Sequence, residues 1–126
     1  MSAESTPTST STSPADCLFC RIVAGEIPAT IVHETPNTTA FRDIDPQAPT
    51  HVLVVPKRHV PTLAELADVS AEELAEVVRA AGEVARMEGL ERGYRAVYNT
   101  GPDAQQSVFH AHVHVVGGRP MTWPPG

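Results

Sequence analysis

Apolar and polar positions alternate most strictly along His110-Ala111-His112-Val113-His114-Val115-Val116. Successive side chains of a strand take opposite faces, so this segment predicts one face of three imidazoles and one of Ala111, Val113 and Val115. Upstream, Leu18, Phe19, Ile22 and Val23 recur at helical spacing, predicting a short helix over residues 17–23 with Asp16 as N-cap and Gly25 as C-terminal stop. The β-branched run 30–34 and its return over 39–42, around Pro36-Asn37, read as a hairpin. Residues 51–56 are apolar on both faces and predict a buried central strand. One long helix follows: Ser70 and Glu73 form a capping box, Leu74, Val77, Val78, Ala81 and Val84 make its stripe, and Gly89 ends it. Residues 94–99 alternate as a strand, and the polar loop 100–107 leads into the histidines. Helix, hairpin, strand, helix and two strands make an α+β domain with an antiparallel sheet, one short helix and one long.

Residues 1–15 are rich in Ser, Thr and Pro and show no periodicity; they read as a disordered tail ahead of a single domain over 16–126. The net charge of −6 and the lack of a basic cluster beyond Lys57-Arg58 argue against nucleic acid as the main partner. No apolar run approaches the roughly 20 residues of a membrane span, and no signal segment is evident, so a cytoplasmic location is expected.

The candidate chemistry lies in few places. Cys17-x-x-Cys20 suits a metal half-site, a redox pair or two buried thiols; a metal needs two more ligands, with His59 and a strand histidine available. His51 is either a core histidine or a functional one. Ser107, three residues before His110, either shapes a turn or bonds a substrate oxygen, and Asp43 either caps a turn or receives sugar hydroxyls. Phe19, Ile22, Ile27 and Phe41 are core residues or the walls of a slot for a flat ring. Trp123, in a stiff apolar tail, is expected to pack on something, a second subunit included.

The histidine segment, Asp43-Ile44-Asp45-Pro46-Gln47-Ala48-Pro49-Thr50-His51, Gln106-Ser107-Val108 and the ending Trp123-Pro124-Pro125-Gly126 together resemble the histidine triad (HIT) family, in particular its nucleotide-binding branch of purine nucleoside phosphoramidases. The resemblance covers everything after the tail. It implies a five-stranded antiparallel sheet, continued to ten strands across a homodimer, and a nucleoside monophosphate site. Cleavage of phosphoramidates or acyl-adenylates is expected, with His112 as the nucleophile that becomes a nucleotidyl-imidazole. His114 and Ser107 would hold the phosphate and assist the leaving amine, and His51 would orient the nucleophile. The resemblance further implies Asp43 on the ribose, Ile44 and Asn99 at the sugar-phosphate site, and Phe19, Ile22, Ile27 and Phe41 around the base. Gln105, Gln106, Ser107 and Val108 would form the phosphate loop, with Trp123 near the leaving group. Likeness to zinc-containing bacterial members implies a structural zinc on Cys17, Cys20, His59 and His110, and no cofactor for catalysis. In this branch Gly usually stands where Gln105 does, which puts close backbone approach to the phosphate in doubt. Two other readings share the same residues: a dinucleoside polyphosphate hydrolase, and a nucleotide-sensing interaction protein with little turnover.

Overall fold

A computed structural model describes residues 14–126, so most of the expected tail lies outside the described residues; its last two residues, with Asp16, form a 3-10 turn, Pro14–Asp16. The short helix α1 is Leu18–Val23. Its N-cap is Cys17 rather than Asp16: the Cys17 Sγ accepts the Cys20 N–H at 3.4 Å, while Asp16 closes the preceding turn. Gly25, at φ 79°, follows the helix in the left-handed conformation that suits glycine there.

Strands β1 (Ile31–Thr35), β2 (Thr38–Arg42), β3 (Thr50–Pro56), β4 (Tyr94–Val97) and β5 (Val113–Gly117) form one antiparallel sheet in the order β1-β2-β3-β5-β4. Every residue of central β3 is buried, as its unbroken apolar run requires. The histidine strand is shorter than its alternation suggested. It starts at Val113, so His110 lies in a bend and His112 in the short connection before the strand, and only His114 lies in the ladder, paired with Leu53 on one side and Val97 on the other.

Helices α2 (Leu63–Val69) and α3 (Ala71–Met87) follow β3. The seven-residue α2 is an addition to the short and long helices expected; Thr62 caps it and it buries Leu63 and Leu66. Ser70 accepts the Glu73 N–H at 3.1 Å, but the Glu73 carboxylate turns away to a bidentate pair with Arg58, so only half of the capping box forms. The buried face of α3 is Val77, Ala80, Ala81, Val84 and Ala85; Val78, one residue and about 100° round from Val77, is 60% exposed and leaves the expected stripe. Glu76 ties α3 to the hairpin turn, accepting from the Asn37 backbone N–H at 2.7 Å and from the Thr35 hydroxyl.

The sheet separates two apolar layers. Ala40, Val52, Val54, Val113 and Val115 pack on Leu66, Val77, Ala81 and Val84 of the helical side. Phe41, Leu53 and Val55 pack on Cys17, Phe19 and Ile22 of the α1 side. Strand alternation puts His114 opposite Val113 and Val115, on the α1 side. Among the described residues no helix is long and apolar enough to cross a membrane.

Candidate functional site

On the α1 side a cleft of about 260 Å³ runs from α1 to the end of β2 and on to the histidines. Phe19, Ile22, Ile27, Phe41, Asp43, Ile44, Ser107, Val108, His112 and His114, all singled out in the sequence, line it together. Leu18, Pro28, Ala29 and Leu53 line it too. Those four are ordinary apolar residues whose only signal was proximity to the others. A larger concavity, about 340 Å³ between residues 89–93 and 118–120, carries Glu91, Arg92 and Arg119 but no imidazole or thiol, and the chemistry lies in the smaller cleft.

Hydrogen bonds fix the proton positions of the imidazoles. Nδ1 of His112 lies 2.7 Å from the His110 carbonyl oxygen, an acceptor only, so Nδ1 carries the proton and Nε2 keeps its lone pair. The Gln47 backbone N–H donates to His51 Nδ1 at 3.0 Å, which leaves the His51 proton on Nε2. That N–H donates to His114 Nδ1 at 2.9 Å, and the His114 proton is then on Nε2. Asp43 Oδ2 is 3.5 Å from His51 Nε2. One ring of the cleft thus offers a lone pair and the next an N–H, with the His112 and His114 centroids 5.0 Å apart.

Burial disfavours the charged form of both rings. It holds His112 below the ordinary imidazole value, against the opposing effects of the His110 carbonyl and Asp43. Burial also pushes His114 down to about 4, with His112 and His51 adding to the effect and Asp43 opposing it.

Four of the expected cleft residues stand elsewhere. The Gln106 side chain is buried and committed to the loop, accepting from Gly101 N–H at 2.9 Å and donating to the carbonyls of Pro61 and Val108. Gln105 is exposed and adopts φ 67° and ψ 30°, the left-handed conformation a glycine would take, so its backbone follows the glycine path. Asn99 follows β4 and does not line the cleft. Trp123 is 82% exposed, its ring 6.0 Å from the guanidinium of Arg95 in β4.

Behind the cleft, Cys17, Cys20, His59 and His110 converge, their ligand atoms all within 4.8 Å of one another. Nδ1 of His59 is 3.2 Å from Cys20 Sγ and 3.3 Å from His110 Nδ1; His110 Nδ1 is 3.4 Å from Cys17 Sγ and 3.5 Å from Cys20 Sγ. A tetrahedron with Zn–S of about 2.3 Å and Zn–N of about 2.0–2.1 Å has edges of about 3.3 Å (N to N) and about 3.6 Å (N to S), so the set fits such an ion. Nε2 of His110 donates to the Pro56 carbonyl at 2.7 Å, and the Nδ1 lone pair is thereby turned to the cluster, the usual arrangement behind a metal-bound imidazole. Burial, then the hydrogen bond and charge of Cys17, pushes the Cys20 thiol up to about 12, an effect that a divalent cation reverses by favouring thiolate.

Residues 24–121 match the HIT domain family model. The chain belongs to the HIT family. HIT membership covers β1 to β5 and every imidazole of the cleft. Among its relatives, the chain is 50% identical over 111 residues to a 14 kDa zinc-binding protein of Zea mays, covering 86% of this chain and 87% of that one. A crystal structure of a HIT family hydrolase from Legionella pneumophila Philadelphia 1 superposes with TM-score 0.83 at 53% identity, covering 87% of this chain and 99% of that one. A histidine triad nucleotide-binding protein from Candida albicans superposes with TM-score 0.73 at 31% identity, covering 87% of this chain and 84% of that one. Cys17 and Cys20 precede the family-matched span, whereas His59 and His110 lie inside it.

Proposed function

We propose that this HIT protein is a hydrolase that cleaves purine nucleoside phosphoramidates or acyl-adenylates to a nucleoside monophosphate through a nucleotidyl-histidine. The observation that carries the reading is the proton arrangement: His112 presents a bare Nε2 to the cleft while His114 presents Nε2–H. The relatives named hydrolase and nucleotide-binding protein support the same class.

In this mechanism the purine lies between Phe19, Ile22, Ile27 and Phe41, and Asp43 accepts from the ribose hydroxyls, with fully exposed Ile44 at the rim. Nε2 of His112 attacks the α-phosphorus, forming P–N(His) as the P–N bond to the substrate amine breaks. The imidazole becomes cationic, and the His110 carbonyl on Nδ1–H stabilises that charge. His114 Nε2–H and the Ser107 hydroxyl hold the phosphate oxygens, and a solvent proton passes to the leaving nitrogen by way of Ser107. Water then attacks phosphorus and gives one proton back to solvent as the P–N(His) bond breaks, so Nε2 regains its lone pair and the nucleotide departs with the water oxygen.

Zinc on the Cys₂His₂ set would be structural: four protein ligands close its coordination, and it would fix α1 and the lead-in to β5. The protein would act as a homodimer extending the sheet at β4, an edge strand that exposes Tyr94 and Val97 beside Trp123.

The test is release of AMP from an adenosine phosphoramidate by wild type and by His112→Asn. Wild-type turnover that the substitution removes supports the reading. Binding of AMP without turnover favours the nucleotide-sensing reading, and preference for a dinucleoside polyphosphate favours the alternative hydrolase.

A further inference from the structure

Helix α1 belongs to two sites at once. Cys17 and Cys20 meet His59 and His110 in the metal-ligating cluster, while Leu18, Phe19 and Ile22 wall the cleft. Phe19, between the two cysteines, stands edge-on to the His112 ring with centroids 5.0 Å apart and planes at 90°. It meets Phe41 at 5.4 Å and His110 at 6.0 Å in the same manner. A helix of six residues does not hold itself together, because nucleation costs more than one turn returns. The place of α1 therefore depends on what its side chains grip: the apolar layer through Phe19 and Ile22, and the cluster through its thiols. The cluster reaches the cleft by a second route as well, since the His110 ring belongs to it and the His110 carbonyl holds the His112 Nδ1–H.

We infer that occupancy of the Cys17, Cys20, His59, His110 cluster by a divalent metal ion and the nucleotide affinity of the cleft are thermodynamically linked through α1, with Phe19 as the positioning residue. The inference rests on the nucleotide reading of the cleft given above. An ion that fixes α1 pre-orders the base-binding wall, so a nucleotide meets less ordering cost. Linkage is reciprocal, and a nucleotide wedged against Phe19 holds the thiols on the ion by the same factor.

AMP is titrated calorimetrically into zinc-loaded protein and into metal-stripped protein shown to be folded by circular dichroism. In parallel, AMP is added to cobalt(II)-substituted protein while the d–d bands of the ion are followed. The linkage predicts AMP affinity at least about fivefold higher with zinc, the low end of usual coupling factors. It also predicts cobalt bands that move on AMP addition, and a Phe19→Leu protein that binds cobalt but has lost this response at AMP concentrations that calorimetry shows to saturate it. Equal AMP affinities together with an unmoved cobalt spectrum overturn it. Should the stripped protein fail to fold, the cobalt spectrum decides alone, and bands indifferent to AMP overturn the linkage. Absence of AMP binding to the zinc-loaded protein removes the nucleotide reading and the linkage together, whereas binding without coupling removes only the linkage.

Discussion

Nδ1 of His112 donates to the main-chain carbonyl of His110 at 2.7 Å, and this bond decides which nitrogen of His112 faces the cleft. His110 lies in a bend, with its carbonyl within reach of the ring two positions on, and the carbonyl tolerates only a donor. The ring is thereby held with Nδ1 as donor and the Nε2 lone pair free.

His51 does not line the cleft itself and meets it through two lining residues, His114 at 2.9 Å and Asp43 at 3.5 Å. Replacing His51 with Ala removes the donor to His114 Nδ1 and frees the His114 ring to change tautomer. The expected result is a fall in kcat of about 10²-fold, the scale of a misplaced catalytic group, with KM changed much less. Steady-state kinetics on an adenosine phosphoramidate check it; an unchanged kcat, or a loss confined to KM, contradicts the relay.

The pH profile follows from the direction of the shifts. Burial holds His112 below 6.5 and His114 at about 4, so each takes up its proton at lower pH than a free imidazole does. The kcat/KM plateau should therefore extend below pH 6.5 and decline only as acid protonates His112. Stability has the same sign. A depressed folded value means that the unfolded chain binds more protons, so the contribution of His114 is complete above 6.5 and is lost as pH falls towards 4. An acid limb of kcat/KM centred at or above 6.5 contradicts this.

Gln105 holds a left-handed conformation that costs a residue with a Cβ about 1 kcal/mol. Gln105→Gly removes that strain but also loosens the unfolded chain by about 0.4 kcal/mol or more, so a net gain of at most about 0.6 kcal/mol, or about 2 °C in Tm, is expected. Calorimetric scans of the two proteins test it, and a glycine variant no more stable than wild type contradicts the strain. Turnover should be little altered, because the backbone path is already that of glycine.

Much of this was legible because the sheet repeats with period two. The alternation at 110–116 separated Val113 and Val115 from His114, and the structure puts the two valines on the helical side; the doubly apolar run of β3 marked the centre. What escaped the pattern depends on contacts distant in sequence. Leu63 and Leu66 give α2 too little apolar repeat to be read as a helix, and only packing against the sheet and α3 makes it one. Nothing in the type of Gln106 says that its amide is consumed by Gly101, Pro61 and Val108. Gln47 acts through its backbone N–H, which no residue code announces. The cluster joins ligands 93 positions apart in Cys17 and His110, and here the resemblance supplied what spacing left open.

Cys17 both caps α1 and belongs, with Cys20, His59 and His110, to the cluster that could hold a metal ion. Cys17→Ala should lose about 1 kcal/mol from the cap alone and more from the ion. Thermal scans with and without a chelator separate the two: the wild-type Tm should fall on chelation, while the variant, already short of a ligand, should barely respond. A chelator-insensitive wild type contradicts a bound structural ion.

The most direct measurement is intact-protein and peptide mass spectrometry of the enzyme quenched in acid-free buffer during turnover of an adenosine phosphoramidate. The account predicts an added adenylyl mass confined to the peptide carrying His112 and absent from His112→Asn. Turnover at the wild-type rate by that variant, or an adenylyl group found on another residue, would contradict it.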